Sequence, residues 1–194
     1  HDCIVNGDWT VTSFPCLTSG RYVTKHKILS REDILTGVNS SIPNALADEG
    51  WYTQHVSANW GVTPLTYLEG FDRSIYWQYA DLNWILNEAR QTLKVFKERD
   101  TFLFLSIFDL HHSINGVPDI DYATAIDYPS LDFTDVDKKA NIPGRDKKRE
   151  KRYQIGVENI VEQIIDFLSW LSKSHQEDEI DLFLVSDHGQ AYLS

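Results

Sequence analysis

The sequence has no methionine and only two cysteines in 194 residues, and none of its apolar runs approaches the ~20 residues of a membrane-spanning helix. No charged and then apolar signal segment opens the chain. The absence of methionine indicates a processed form or a fragment of a longer product. Cys3 and Cys16 lack the spacing of a zinc knuckle, and the sequence leaves open whether they form a disulfide.

Positive charge is also scarce. The formal net charge is −11, which argues against nucleic acid as the main partner because binding a phosphate backbone needs a basic surface. Hydrophobic residues make up 42% and charged residues 24%, so the chain is globular rather than disordered. Its length favours one domain spanning residues 1–194.

The cations that are present concentrate in one run. Such a run has two interpretations: it is a solvated helix start, or it is a docking patch for an anionic polymer or headgroup. Cations at a helix start oppose the helix dipole, so the run has a local energetic cost. Its members are Arg145, Lys147, Lys148, Arg149, Lys151 and Arg152.

Helix-like and strand-like segments alternate along the chain, which predicts an α/β fold with a mostly parallel central sheet flanked by helices. Residues 101–108 are apolar almost throughout, as in a strand buried on both faces of a parallel sheet. Residues 113–146 read as a long loop. The predicted helices are 10–20, 42–50, 77–99 and 149–173, and the predicted strands are 52–58, 101–108 and 182–185.

Three segments carry groups suited to chemistry. Asp187 and His188 follow the predicted strand 182–185, and a carboxylate beside an imidazole there suits a divalent cation. Asp109 and His111 follow the strand before it, where a histidine can bind a metal or donate a proton to a leaving oxygen. Hydroxyl residues at 10–13 open the first predicted helix, where the backbone N–H groups favour an anion. A plain turn, a strand cap and an ordinary helix cap are the structural alternatives.

Together these segments resemble the sulfatase branch of the alkaline phosphatase superfamily. The resemblance rests on loose motifs that occur in the family's order across most of the chain. It implies that the fold is incomplete at both ends, because the family's first metal-binding carboxylates lie upstream of the nucleophile and its later strands follow the Asp-His-Gly turn. The matching segments are 9–13, 18–26, 42–53, 70–72, 102–111 and 186–189.

The resemblance also implies roles for individual residues. Thr10 falls on the nucleophile, and His111 on a residue that contacts the substrate or leaving group. Asp187 and His188 fall on ligands of a divalent metal ion, which is Ca, Mg, Mn or Zn. The expected substrate is an anionic sulfate or phosphate ester carried on a carbohydrate or a lipid. Three more positions are expected to bind it: Ser13, His26 and Asn59.

The chain departs from the family pattern at three places. Thr12 stands where the family prefers proline, Phe14 where sulfatases carry arginine, and residues 58–61 where many have a lysine-bearing segment. These departures leave four functions open: a sulfuric ester hydrolase, a phosphate-transferring relative, a member that binds without catalysis, and an unrelated α/β interaction domain. Export or a periplasmic location is implied by the family alone.

Overall fold

The structure is a computed structural model that describes residues 10–30, 33, 41–58, 70–77, 80–110, 145–174 and 180–187. The chain divides into two compact units. The first comprises His1–Ile107 and Asp178–Gln190, and the second comprises Phe108–Glu177 and Ala191–Ser194. Among the described residues, the first unit holds the sheet and four helices, and the second holds one long helix.

Three parallel strands form the sheet of the first unit. They are β1 (Tyr52–Ser57), β2 (Arg73–Tyr76) and β3 (Thr101–Ser106), in the spatial order β2-β1-β3. Because β1 has a neighbour on each side, all six of its residues are buried, whereas those of β3 are half-buried. The predicted α/β class with a parallel sheet is confirmed at this level, and the predicted strands 52–58 and 101–108 are each slightly shorter in the structure.

Four helices accompany the sheet, and two of them begin at caps that are readable in the sequence. Asp81 accepts a hydrogen bond from the backbone N–H of Trp84, so the predicted helix 77–99 begins only at residue 82. Ser41 accepts from the N–H of Asn44 in the same way. The helices are α1 (Thr10–Ser19), α2 (Val23–His26), α3 (Ile42–Asp48) and α4 (Leu82–Val95).

The core is built on both faces of β1. On one face, the Phe14 ring of α1 packs edge-on against His55 and Phe104, with ring centroids 5.7 and 4.9 Å away. On the other face, Thr92 of α4 donates its hydroxyl to the Gln54 side chain at 3.0 Å. A parallel sheet needs cover on both faces, because its strands are apolar on both sides. The burial of Phe14 alone contributes about 2–3 kcal/mol to folding.

The predicted buried strand 182–185 is wrong. Residues 180–186 are neither strand nor helix, and the side chains of residues 182–185 are 57–83% exposed. An apolar run becomes a buried strand only when a neighbouring strand takes up its backbone hydrogen bonds, and none of the three described strands pairs with this segment. The sheet position that the family resemblance implies for this segment is therefore not seen.

The second unit contains the long helix α5 (Arg145–Ser174). It confirms the predicted helix 149–173 and starts four residues earlier, inside what was predicted to be the end of a loop. Phe167 and Leu171 are buried, each 7% exposed. The rest of the predicted loop lies outside the described residues. Within the described ranges, no helix combines the length and the apolarity needed to cross a bilayer.

Gly70 provides a test of the packing between α3 and the sheet. Its φ is +105°, and an added Cβ would overlap the amide of Asn44. Gly50 also has a positive φ, +90°, but nothing lies within 4 Å of the place of its Cβ. Both alanine substitutions strain the backbone, and Gly70→Ala must also displace the amide end of the Asn44 side chain, so we expect it to lower the free energy of unfolding by about 1 kcal/mol more than Gly50→Ala.

Urea unfolding of both variants measures this difference. Adding Asn44→Ala to Gly70→Ala should recover part of the excess loss. Equal losses for Gly70→Ala and Gly50→Ala would contradict the close approach of α3 to residue 70.

His55 makes the stability of the first unit depend on pH. Its ring is fully buried, Nε2 shares a hydrogen bond with Ser106 Oγ at 2.9 Å, and Nδ1 has no hydrogen-bond partner among the residues that the structure describes. Burial lowers the pKa of His55 to about 3. The unfolded chain, with a histidine pKa of about 6.5, therefore binds more protons between pH 6 and pH 4. Through this residue, each pH unit of acidification over that range lowers the free energy of unfolding by about 1.4 kcal/mol.

Urea unfolding from pH 7 to pH 4 should show a weaker acid-induced loss in His55→Gln than in the natural protein. Carboxylates contribute equally to both proteins, so the difference isolates the histidine. Parallel stability curves would show that His55 is accessible to protons in the native state.

Candidate active site

Thr10 is the first residue of α1 and is half-buried. The first backbone N–H groups of a helix have no partner within the helix, and the helix dipole places partial positive charge there. The first turn of α1 contains no acidic residue that would offset this field. The N-terminus of α1 therefore favours an anionic group next to the Thr10 hydroxyl.

Asp187 supplies such a group. The Thr10 hydroxyl donates a hydrogen bond to Asp187 Oδ2 at 2.7 Å, across 177 residues of sequence. Both residues belong to the first unit. A hydrogen bond to a charged carboxylate is stronger than one between neutral groups, and it fixes the direction of the hydroxyl proton. The structure thus brings together two residues that the sequence singled out separately.

Ser13 lies three residues after Thr10, on the same side of α1. It is buried, with 3% of its surface exposed. Thr12, between them, is also buried, at 6%. Thr12 and Ser13 are thus covered by protein, whereas Thr10 is half-buried.

His26 is the last residue of α2 and contacts Cys16 in the second half of α1. Its Nδ1 accepts the backbone N–H of Ile28 at 3.0 Å, so the neutral ring carries its proton on Nε2. That nitrogen lies 3.2 Å from the sulfur of Cys16, and Nε2–H donates to it. Cys16 is six residues after Thr10, or about 9 Å along the helix axis. Both ring nitrogens of His26 are therefore engaged away from Thr10.

The surroundings keep Cys16 and His26 uncharged. Burial raises the pKa of the Cys16 thiol and lowers the pKa of His26. The thiol itself donates to the carbonyl of Thr12 at 3.3 Å. A cavity of about 200 Å³ opens beside Cys16, lined further by Gly20, Arg21 and Tyr22. It lies past the second turn of α1, so it is distinct from the environment of Thr10.

Sequence reasoning did not anticipate the Cys16–His26 contact or the buried His55. A histidine inside a buried strand was visible at position 55, but its neighbours come from other elements. Three predicted site residues, His111, Asn59 and His188, lie outside the described residues. Of the seven predicted positions, the structure therefore places four.

A divalent cation would find two oxygen donors here, the Asp187 carboxylate and the Thr10 hydroxyl. Oxygen donors fit the preference of Ca, Mg and Mn. In the part of the chain that the structure describes, no three His, Cys, Asp or Glu side chains are gathered closely enough to hold a metal ion. The Cys16–His26 pair is a poor ligand set, because the histidine directs a proton and not a lone pair at the sulfur.

No family model, curated protein or solved structure matches the chain. The chemistry of the site therefore rests on the described residues, above all Thr10 and Asp187, and on the family resemblance of the sequence.

A double-mutant cycle tests the hydrogen bond between Thr10 and Asp187. We expect Thr10→Val and Asp187→Asn to show a coupling of about 1–2 kcal/mol in the free energy of unfolding, because the bond is charge-assisted and half-buried. The control cycle joins Thr10→Val with Asp33→Asn. Asp33 accepts backbone N–H groups of Leu29 and Ser30, so its loss should add to that of Thr10 without coupling. Equal couplings in the two cycles would remove the bond from the account.

Proposed function

We propose that this protein is a metal-dependent ester hydrolase of the sulfatase family in which the Thr10 hydroxyl is the nucleophile. The observation that carries the proposal is the 2.7 Å hydrogen bond from Thr10 to Asp187. The resemblance assigns these two positions to the nucleophile and to a metal ligand, and they are 177 residues apart in the sequence. Their contact supports both assignments together.

Asp187 has two tasks in this proposal. Its carboxylate accepts the hydroxyl proton of Thr10, which leaves an oxygen lone pair directed away from the carboxylate and toward substrate. With His188, it would also hold a divalent cation, which would lower the pKa of the hydroxyl and offset charge on the transferring group. The Asp-His-Gly turn therefore acts on the nucleophile and not on the leaving group.

The start of α1 faces the anionic ester. The positive end of the helix dipole stabilises the negative oxygens of the group being transferred. Thr10 Oγ1 passes its proton to the Asp187 carboxylate and forms a bond to phosphorus or sulfur while the bond to the ester oxygen breaks. His111 is the residue expected to protonate the departing oxygen. Water then hydrolyses the ester formed on Thr10, which restores the hydroxyl.

Threonine at position 10 favours a phosphate ester over a sulfate ester. In the family, true sulfatases use a formylglycine made from cysteine or serine, whereas several phosphate-transferring relatives use a plain threonine or serine. A threonine hydroxyl attacks as an alcohol. Phosphoryl transfer to another acceptor alcohol follows from the same site if that alcohol replaces water in the second step.

A specific observation favours a second candidate, a member that binds anions without hydrolysing them. Phe14 stands where sulfatases carry an arginine, and it is buried in the core against His55 and Phe104, only 3% exposed. The position therefore supplies packing and no positive charge to the substrate. In this candidate, the Thr10–Asp187 pair only orders the start of α1.

Substitution of Thr10 in the complete protein tests the proposal. We expect Thr10→Ala to lower kcat/KM for p-nitrophenyl phosphate by roughly 100-fold or more, because the nucleophile is lost. Thr10→Ser should retain most of the activity. Thr24→Ala, at an exposed position of α2, is the matched control and should be unchanged.

The assay is run with phosphate and sulfate esters in Mg²⁺, Mn²⁺, Ca²⁺ and Zn²⁺. Equal activity of Thr10→Ala and the natural protein would exclude Thr10 as nucleophile. Absence of turnover with both esters in all four metals, with anion binding retained, would favour the non-catalytic candidate.

A further inference from the structure

Two tryptophans meet at the carboxyl end of β2, where the chain turns into α4. Trp77 follows β2 directly, and its ring packs edge-to-face against Trp84, with the centroids 5.5 Å apart and the planes inclined by 69°. Trp77 is 43% exposed, although tryptophan has a large apolar surface to bury. The core beneath α4 is formed by Leu82, Ile85 and Leu86, so the exposed part of Trp77 adds nothing to it.

The exposed ring is held in place before any ligand binds. The backbone N–H of Trp77 donates to the carbonyl of Ser57 at 3.1 Å, and the carbonyl of Trp77 accepts from the N–H of Ala80 at 2.9 Å. Trp84 is fixed in turn, because Asp81 Oδ1 accepts its backbone N–H at 2.8 Å. An aromatic surface that is already ordered loses little conformational entropy on binding.

A row of amides lies beside the tryptophan pair. Among residues 82–93, all of which the structure describes, the exposed ones are Asn83, Asn87 and Gln91. Their four-residue spacing places them in one line along α4. Asn87 and Gln91 follow Trp84 by three and seven residues, so the line runs past the indole on the same side of the helix.

The composition of this row indicates the kind of ligand. Charged residues make up 24% of the chain, yet none of the three exposed positions is charged. Asparagine is a weak helix former, so the row does not serve helix stability. An amide both donates and accepts hydrogen bonds, as a hydroxyl does. Arg90 donates to Asn87 Oδ1 at 3.0 Å, which turns the Nδ2 hydrogens of Asn87 away from the guanidinium.

We propose that Trp77, Trp84 and the three amides bind an uncharged oligosaccharide of equatorially substituted pyranoses. Such a sugar ring has C–H groups on both faces, which stack on an indole, and hydroxyls around its rim, which pair with amides. Because the two indoles are inclined by 69°, a sugar ring stacks on the more exposed Trp77 while Trp84 supports it. Trp84 and Gln91 are about 10 Å apart along the helix axis, which is the length of a disaccharide.

Other classes of ligand fit this surface less well. An anion would meet no cation in the amide row, and a cation would meet no carboxylate there. A protein partner or a lipid surface needs a wider apolar area than two rings. Among the described residues of α4, the next exposed large apolar side chain is Val95, about 16 Å from Trp84 along the helix axis.

Sugar binding needs no nucleophile, so it stands or falls separately from ester hydrolysis. The probe is cellotetraose, whose glucose units carry their ring substituents equatorially. Binding to the complete protein, labelled with nitrogen-15, is followed by NMR through the indole N–H signals of its six tryptophans. The variants Trp77→Phe and Trp84→Phe identify two of these signals. We expect cellotetraose to shift those two and leave the others in place, whereas sorbitol, which has hydroxyls but no ring face, should shift neither.

Substitutions measure what each part of the surface contributes. We expect Trp77→Ala to raise the dissociation constant for cellotetraose roughly tenfold or more, because the stacking face is lost. Asn87→Ala and Gln91→Ala should each raise it roughly threefold, since each removes hydrogen bonds to hydroxyls. Tyr22→Ala is the matched control, because it removes another exposed aromatic ring, and the dissociation constant should change by less than about twofold.

Shifts spread over all six indole signals, or none at the highest soluble concentration of cellotetraose, would overturn the proposal. These shifts are measured in the natural protein, so they decide the question even if Trp77→Ala folds poorly. Equal losses for Tyr22→Ala and Trp77→Ala would also overturn it, because binding would then follow exposed aromatic area alone. Choline that shifts the Trp77 signal more than cellotetraose does would overturn the choice of ligand.

Discussion

The burial of β1 is the constraint on which the rest of the first unit depends. Its six residues include a glutamine and a histidine, and both must be covered by helices and given polar partners. Thr92 of α4 serves Gln54 on one face, and Ser106 serves His55 on the other. Phe14 completes that second face. Because Phe14 belongs to α1, the packing that covers the strand also fixes the helix that carries Thr10.

The candidate site follows from this arrangement. α1 is held through its middle by Phe14, and its N-terminus presents Thr10 to Asp187. The opposite end is tied down by Cys16 and His26. The helix is thus anchored at three levels, and the hydroxyl of its first residue has a defined position. Preorganisation of this kind is what phosphoryl or sulfuryl transfer requires, since most of its catalysis is positioning and electrostatics.

Local signals in the sequence were enough for most of the elements. The apolar run that became β3 acts within a few residues and is readable without a fold. The cap Asp81 was not recognised, so the predicted helix 77–99 began five residues too early. The segment 182–185 failed because its apolarity predicts burial but does not supply a partner strand. The Cys16–His26 contact was missed because it depends on how the turn between α1 and α2 orients the two helices. That Thr10 and Asp187 belong to one site was predicted from the order of motifs across the whole chain, because no local signal connects two residues so far apart.

The central claim is that Thr10 and Asp187 form one cation-dependent site. The most direct measurement is a crystal structure of the complete protein in saturating Mn²⁺, with anomalous data collected at the manganese edge. The account predicts an anomalous peak at coordination distance from the Asp187 carboxylate and next to Thr10 Oγ1. An intact Thr10–Asp187 hydrogen bond with no manganese at Asp187 would contradict it.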